Sequence, residues 1–395
     1  MKVRMISTMA IRGGGITSYV GRLVEPMRAG GDSVRIQAER DAPFTQFGQH
    51  SYVEPIWTHD VRYPFQNFRA VRRDSDYDVV HVQHEFWLFG GPATALLFPL
   101  LLLLLRLRGT PVITTIHGVI PKDALARVRE GAPVGGPLWV ARAAVSAVTR
   151  LILWFSTAVI VHDTFFRDAL VNEYGGRPDK IVVIPHGVDA RLPRVPKAEA
   201  RTHLGLGPEP MVLSMGYLAA YKGLEGLIDA FNLLGPRDPD LRLVIAGGPP
   251  ARNSANGAEY VQRLQGRVAP GLAPRVRFTG FVEEPQVADY FGAADLVVCS
   301  HVVPLASSGI LALAQGYGVP VIAPAIPPFT HILSQPDALF PVDAPVAMAE
   351  TIERFIHDPG ALERLAQASE AEARERDWPV IARRHHELYA RLVPP

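Results

Sequence analysis

Short continuous apolar runs alternate along this chain with stretches in which apolar residues recur every three or four positions. That alternation predicts strands followed by amphipathic helices. Residues 3–7 are strand-like, Gly13–Gly15 reads as a turn, and Ile16, Tyr19, Val20, Leu23, Val24 and Met27 then form one long stripe. Further strands are expected at 33–37, 78–83, 111–116, 157–161 and 180–184, each trailed by a loop and a helical pattern. Such a succession implies a parallel sheet with helices on both faces and right-handed crossovers. The segment 190–201, with two prolines among polar residues, reads as a linker, after which the pattern restarts. Strands are expected at 211–215, 241–246, 275–278, 296–299 and 319–323, separated by helices near 222–234, 259–268, 286–291 and 310–316, giving a second doubly wound sheet. No internal sequence repeat relates the halves. Past Pro359 the pattern is helical and charged, and Trp378, Ile381 and Leu388 require a surface to dock on.

The stretch 212–231, VLSMGYLAAYKGLEGLIDAF, organises the second half. A strand entering a helix through Gly216 aims free backbone N–H groups and the positive end of the helix dipole above the sheet edge, a setting suited to phosphate. Lys222, placed where the helix is expected to begin, strengthens that preference, and Leu224, Leu227, Ile228 and Phe231 supply one apolar face. Lysine at such a turn is also a common solvated surface charge, and both readings stand on residues alone.

Composition narrows the class. At 395 residues the chain exceeds one ordinary core, so two domains are expected. Apolar residues make up 48% and charged residues 20%, a globular balance, and the net charge of +1 lacks the basic footprint of a nucleic-acid binder. Cys299 is the single cysteine, which excludes an intrachain disulfide and a zinc–cysteine cluster and fits a reducing, cytoplasmic setting. The amino-terminal residues read as a first strand rather than a leader. One segment, 93–107, imitates a membrane span, but it is shorter than the roughly 18 residues a spanning helix needs and contains Pro99. A buried or interfacial helix is expected there, which leaves contact with the cytoplasmic face of a membrane open.

In open parallel sheets, ligands collect at the carboxyl ends of the strands. His81, His84 and Glu85 accompany one such end, His117–Gly118 another and His186–Gly187 a third. Each has a bland alternative. His81 alternates with valines as a core histidine would, Gly13–Gly15 can be a plain turn, His186 a loop residue between domains, and Ser308–Gly309 an ordinary helix cap.

Taken in order, the motifs Gly13–Gly15, HVQHEF at 81–86, TTIHG at 114–118, IPHGVD at 184–189, GYLAAYKGL at 216–224, VIAGG at 244–248, TGFV at 279–282 and SSGILALAQGYGVPVIA at 307–323 resemble the nucleotide-sugar glycosyltransferases of family four. The resemblance implies the GT-B architecture, two Rossmann-like doubly wound parallel-sheet domains facing across a cleft. On that plan 1–190 is the acceptor-side domain, 191–201 the linker, 202–375 the nucleotide-sugar domain, and 376–395 a helix crossing back to the first domain. It also implies retention at the anomeric carbon, with no metal and no cofactor beyond the nucleotide-sugar substrate. Lys222 matches the lysine that holds the donor diphosphate, His117 the histidine that reaches the transferred sugar, and Gly14 and Gly15 the loop that closes over the donor. Gly216, Ser308, Gly309 and Ile310 complete the expected donor site. The chain departs from the family where an arginine is replaced by Tyr217 and where two glutamates are replaced by Leu305 and Leu313, neither of which accepts a side-chain hydrogen bond.

The expected activity is transfer of a hexose from a nucleoside diphosphate to an acceptor hydroxyl on a saccharide, lipid-linked or small molecule. Fixed charges and dipoles at Lys222 and Ser308 would stabilise the leaving diphosphate. His117 and Glu85 are the further catalytic candidates, with His84 and His186 on the acceptor side. The missing arginine and glutamates keep open a non-catalytic nucleotide-sugar-binding or partner subunit, and an epimerase of the same fold.

Overall fold

The computed structural model describes residues 1–10, 14–122, 124–125, 137–249 and 254–393. The first sheet contains β1 (Lys2–Ile6), β2 (Ser33–Glu39), β3 (Val53–Trp57), β4 (Val79–His84), β5 (Val112–Ile116), β6 (Ala158–Val161) and β7 (Ile181–Val183). Their order across the sheet is β3-β2-β1-β4-β5-β6-β7, and every pairing is parallel. The second sheet contains β8 (Met211–Met215), β9 (Arg242–Ala246), β10 (Val276–Phe278), β11 (Leu296–Val298), β12 (Val321–Pro324) and β13 (Leu339–Phe340), in the order β10-β9-β8-β11-β12-β13 and again all parallel. The central strands are buried along almost their whole length because helices cover both faces and leave no side for water.

Two strands escape the apolar pattern. β3 (VEPIW) carries Glu54 and Pro55, tolerable because it is an edge strand, and β13 is only two residues long. Gly14 and Gly15 belong to the helix Gly14–Ala29 rather than to a separate turn, and Gly13 lies outside the described residues. The second half of the linker segment is helical, as part of Lys197–Leu204. Residues 93–107 fold into helices Pro92–Leu96 and Phe98–Arg106, with Phe98, Leu101, Leu102 and Leu105 buried in the first core. They are not the segment that imitates a span best: Leu138–Phe155 is long and apolar enough to cross a membrane by length and composition, and only 22% of it is buried. Arg142 and Arg150 interrupt its apolar run, which is why the sequence pattern did not single it out.

The carboxyl-terminal helix Trp378–Leu392 packs on Gly14–Ala29, and Trp378, Ile381, Ala382, Leu388 and Tyr389 join the first-domain core. Contacts between the domains frame the cleft. Val119 N–H donates to the Leu305 carbonyl at 3.1 Å, Gln46 donates to Glu284 at 3.0 Å, and His331 Nδ1 lies 2.9 Å from Asp163.

Candidate active site

Strand order reverses between β1 and β4 in the first sheet and between β8 and β11 in the second, so the crevices that collect ligands open at the carboxyl ends of those strands. In the second domain the crevice is lined by Gly216, Tyr217, Lys222, Ser300, His301 and Ile310 among others. The chain leaves β8 through Gly216 at φ +122° and forms a short 3-10 turn, Ala220–Lys222. It then passes Gly223 at φ +63° before the helix Leu224–Leu234. Lys222 therefore precedes the helix by a left-handed residue instead of starting it. Only glycine fits at 223, because a Cβ there would overlap the Ser300 carbonyl oxygen. Two further bonds, Ser300 Oγ–H to the Lys222 carbonyl at 2.7 Å and Val302 N–H to the Tyr221 carbonyl at 3.0 Å, clamp this turn to the end of β11.

The Lys222 ammonium is half-buried and sits 5.6 Å from the centre of the Tyr221 ring. No described residue offers it a carboxylate or a hydrogen bond, and burial lowers its pKa below the ordinary lysine range. An anion arriving beside it would favour the charged form. Opposite, the helix Gly309–Gly316 is capped by Ser308, whose Oγ accepts from Leu311 N–H at 3.3 Å. Among the described residues the amides of Gly309 and Ile310 donate to nothing, as expected of a first helical turn. His301 joins the site from β11. Its Nδ1 is buried without a partner, and desolvation, reinforced by the Lys222 charge, drives its pKa well below the usual histidine value.

The first-domain half of the cleft is a histidine cluster around Tyr19, which lies within about 5 Å, ring centre to ring centre, of His117, His162 and His186. His162 Nδ1 faces the Ile184 carbonyl at 2.9 Å, so its proton is on Nδ1 and its Nε2 is an acceptor. His117 Nδ1 lies 3.2 Å from that Nε2. The other His117 nitrogen, Nε2, is 2.8 Å from Gln83 Oε1, and Gln83 Nε2 in turn lies 3.2 Å from His81 Nε2. His81 Nδ1 ends the chain at the Tyr389 hydroxyl, 2.7 Å away on the carboxyl-terminal helix. Both His117 nitrogens are thus engaged inside the first domain. Burial holds His117 and His81 neutral, with His162 lowered to about 4 and His186 to about 3.

The structure separates the expected residues into groups. Lys222, Gly216, Ser308, Gly309 and Ile310 meet at one crevice, and Glu85 lies across the cleft, close enough for its charge to add to the rise that burial gives the Tyr221 pKa. His117 stands at the domain junction, where Gly118 pairs with Ala306 in an isolated antiparallel bridge. His186 is half-buried in the histidine cluster, with its Nδ1–H donated to the Gly187 carbonyl at 2.7 Å. His84 is not past its strand but is the last residue of β4, buried and tilted on Phe98 at 4.3 Å with Nδ1 unpartnered. That burial seats its ring in the core of the first domain. Leu305 engages the first domain through its carbonyl, and Leu313 packs on the second-domain core. Among the described residues no group of His, Cys, Asp or Glu is arranged to hold a metal ion.

Sequence reasoning missed His162, His301, Tyr19 and Gln83. The first two carry the signal that exposed the others, an apolar run closed by histidine: VIVH at 159–162 and LVVCSH at 296–301. Tyr19 and Gln83 carry none, since one reads as helix stripe and the other as a polar position in a strand.

Residues 13–192 match the family model described as Glycosyltransferase Family 4, and residues 197–372 match that described as Glycosyl transferases group 1. The chain is 30% identical over 338 residues to a D-inositol 3-phosphate glycosyltransferase of Xylanimonas cellulosilytica, covering 82% of this chain and 74% of that protein. Over 307 residues it is also 30% identical to D-inositol 3-phosphate glycosyltransferase 1 of Catenulispora acidiphila, covering 75% and 68%. Among solved structures, an Anabaena protein in complex with UDP-glucose superposes with a TM-score of 0.78 at 18% identity, covering 99% of this chain and 100% of that one. A sucrose-phosphate synthase from Thermosynechococcus elongatus superposes with a TM-score of 0.77 at 21% identity, covering 99% of both.

Proposed function

Because the chain belongs to the glycosyltransferases of family 4, we propose that it moves a hexose from a nucleoside diphosphate to an acceptor hydroxyl, with retention at the anomeric carbon and without a metal ion. The observation that carries this reading is Lys222, half-buried at the β8/β11 switch point with, among the described residues, no anion beside it and the free amides of Gly309 and Ile310 opposite. Such a pairing of cation and helix N-terminus favours a diphosphate over a neutral ligand. The UDP-glucose complex of the Anabaena neighbour supports the same ligand class, and the relatives named for D-inositol 3-phosphate support a polyol hydroxyl as acceptor.

As the glycosidic bond to phosphate breaks, negative charge grows on the diphosphate and positive charge on the sugar ring. Lys222 and the two amides meet the first, as a fixed field that needs no reorganisation. When the acceptor attacks from the face the diphosphate leaves, the departing phosphate oxygen takes the acceptor's proton, and no protein base is required. His117 acts as a neutral imidazole: to contact a sugar hydroxyl it exchanges its bond to Gln83 or His162 for one to substrate. Glu85, facing Tyr221 across the cleft, contacts the acceptor or the sugar ring. His186 lies behind His117, through His162, and acts by holding that array in register.

The test is a thermal-shift screen with UDP, GDP, ADP and TDP, followed by turnover of the matching nucleotide sugar. A nucleotide at about 100 times its dissociation constant stabilises by about 2.7 kcal/mol. With the donor identified, Lys222→Ala removes a charge-assisted contact of roughly 1.5–3 kcal/mol, so kcat/KM should fall roughly 10- to 150-fold, mostly in kcat. A folded alanine variant that turns over like the parent refutes the assignment. Binding without turnover of any donor indicates a binding subunit, and release of nucleotide and free sugar whatever the acceptor indicates the epimerase class.

A further inference from the structure

The helix Leu138–Phe155 has one face built into the first domain, with Val148, Thr149, Ile152 and Leu153 buried. Among the described residues nothing covers its opposite face. Trp139 is 71% exposed and Trp154 77% exposed, and Val140, Ala143, Ala147 and Leu151 lie exposed between them. At 100° per residue all of these fall within one third of the helix circumference, a continuous apolar stripe closed by an indole at each end. Arg150 lies in the same sector, and Arg142, also exposed, lies about 60° outside it near the start of the helix. The two helices packed alongside leave Leu96 and Leu107 exposed, with Arg106 and Arg108 at their end, and Lys180 caps the far end through Ser156 O at 3.2 Å. Neither 92–109 nor 137–162 contains a single aspartate or glutamate.

We propose that this face seats the protein on an anionic membrane surface, with the helix lying in the plane of the interface. Three observations select that occupant. The stripe is about 22 Å long at 1.5 Å per residue and about 10 Å wide, so it offers about 220 Å², far below the ~800 Å² per partner of a stable protein interface. A bilayer sets no such minimum. The charges on this helix and on the two helices packed alongside are all basic, which complements anionic headgroups, and tryptophans at both ends are the side chains that settle at the lipid–water boundary. The helix does not cross: its buried face is fixed in the domain core, and about 22 Å between the indoles falls short of the ~30 Å hydrocarbon layer. The inference goes beyond the donor-site reading and does not depend on it, since vesicle binding is measured without turnover.

The experiment is sedimentation of the full chain with vesicles of phosphatidylcholine containing about 30 mol% phosphatidylglycerol, against phosphatidylcholine alone. The parent should partition to the anionic vesicles. Trp139→Ser with Trp154→Ser should cut that partition by ~10-fold or more with an unchanged melting temperature, because both indoles are exposed. Arg142→Glu with Arg150→Glu should cut binding to the anionic vesicles by a similar factor and leave binding to phosphatidylcholine unaltered. A parent that stays in the supernatant with both vesicles, or a tryptophan double variant that binds like the parent, overturns the proposal. So does self-association in analytical ultracentrifugation that the same tryptophan variant abolishes, since the face then belongs to a second copy.

Discussion

Lowering the pH from 7 to 5.5 should bring the first domain close to unfolding, because the fold stores several imidazoles in neutral form. Burial lowers the pKa of His84 and His186 to about 3 and that of His162 and His385 to about 4, from the ordinary 6.5. A folded pKa below the unfolded one means the unfolded chain binds more protons. The stability these groups confer is therefore complete above about pH 6.5 and drains as the pH falls toward 4 and 3. At pH 5.5 each unfolded imidazole gains about 1.4 kcal/mol that its folded counterpart forgoes. For the four together the loss between pH 7 and 5.5 is about 5 kcal/mol, with His81 and His117 acting in the same direction. A typical domain holds only about 5–15 kcal/mol. The assay is urea unfolding at constant ionic strength from pH 7.5 to 5.5, followed by tryptophan emission. All five tryptophans report the first domain: Trp57, Trp87, Trp139 and Trp154 belong to it, and Trp378 packs into its core. Carboxylates scarcely titrate in that window, so the slope belongs to histidine. His84→Phe should flatten it by about a sixth. A urea midpoint that stays level down to pH 5.5 would refute the reasoning, since it would mean the histidines are charged or solvated in the folded state.

Further consequences can be checked with single variants. Leu101→Asp places a carboxylate at a fully buried position of the first core and should cost about 3–5 kcal/mol or abolish soluble folding, read by urea unfolding. Gly247→Ala adds a Cβ that overlaps the Gly216 carbonyl at a residue with φ +139°. It should displace the turn leading to Lys222 and abolish nucleotide-dependent thermal shifts; unchanged shifts would show that the crevice tolerates movement of Gly216. Deleting 378–395 uncovers the helix Gly14–Ala29 and removes Trp378, Ile381, Leu388 and Tyr389 from the first core, at about 1.5–3 kcal/mol for each large side chain. The first-domain melting temperature should collapse, and a truncated chain that keeps it would show the tail to be dispensable.

The candidate site was legible where local chemistry repeats. Gly216, Lys222, Ser308 and His117 stand at strand ends or helix starts, and those places can be recognised from an apolar run followed by glycine, serine or histidine. His84 carries the same signal and yet turns into the core against Phe98, because one residue of strand length decides which way a side chain faces. The Gln83 bridge between His81 and His117, and the Tyr389 hydroxyl that ends it, join residues as far as 308 positions apart, and no local pattern encodes such a meeting.

What the chain's own residues determined is the succession of parallel strands and helices in both halves, since hydrophobic period reports local structure and burial directly. Strand β3, with its proline and glutamate, and β13, too short to show a period, became strands only by pairing with the neighbours that the fold supplied. Burial of the two apolar helices was also a tertiary decision. Phe98–Arg106, apolar on every side, is covered by its own domain, whereas Leu138–Phe155, broken by two arginines, leaves its apolar stripe bare. Hydropathy states what a segment prefers to contact, and only packing determines whether the protein itself provides that contact.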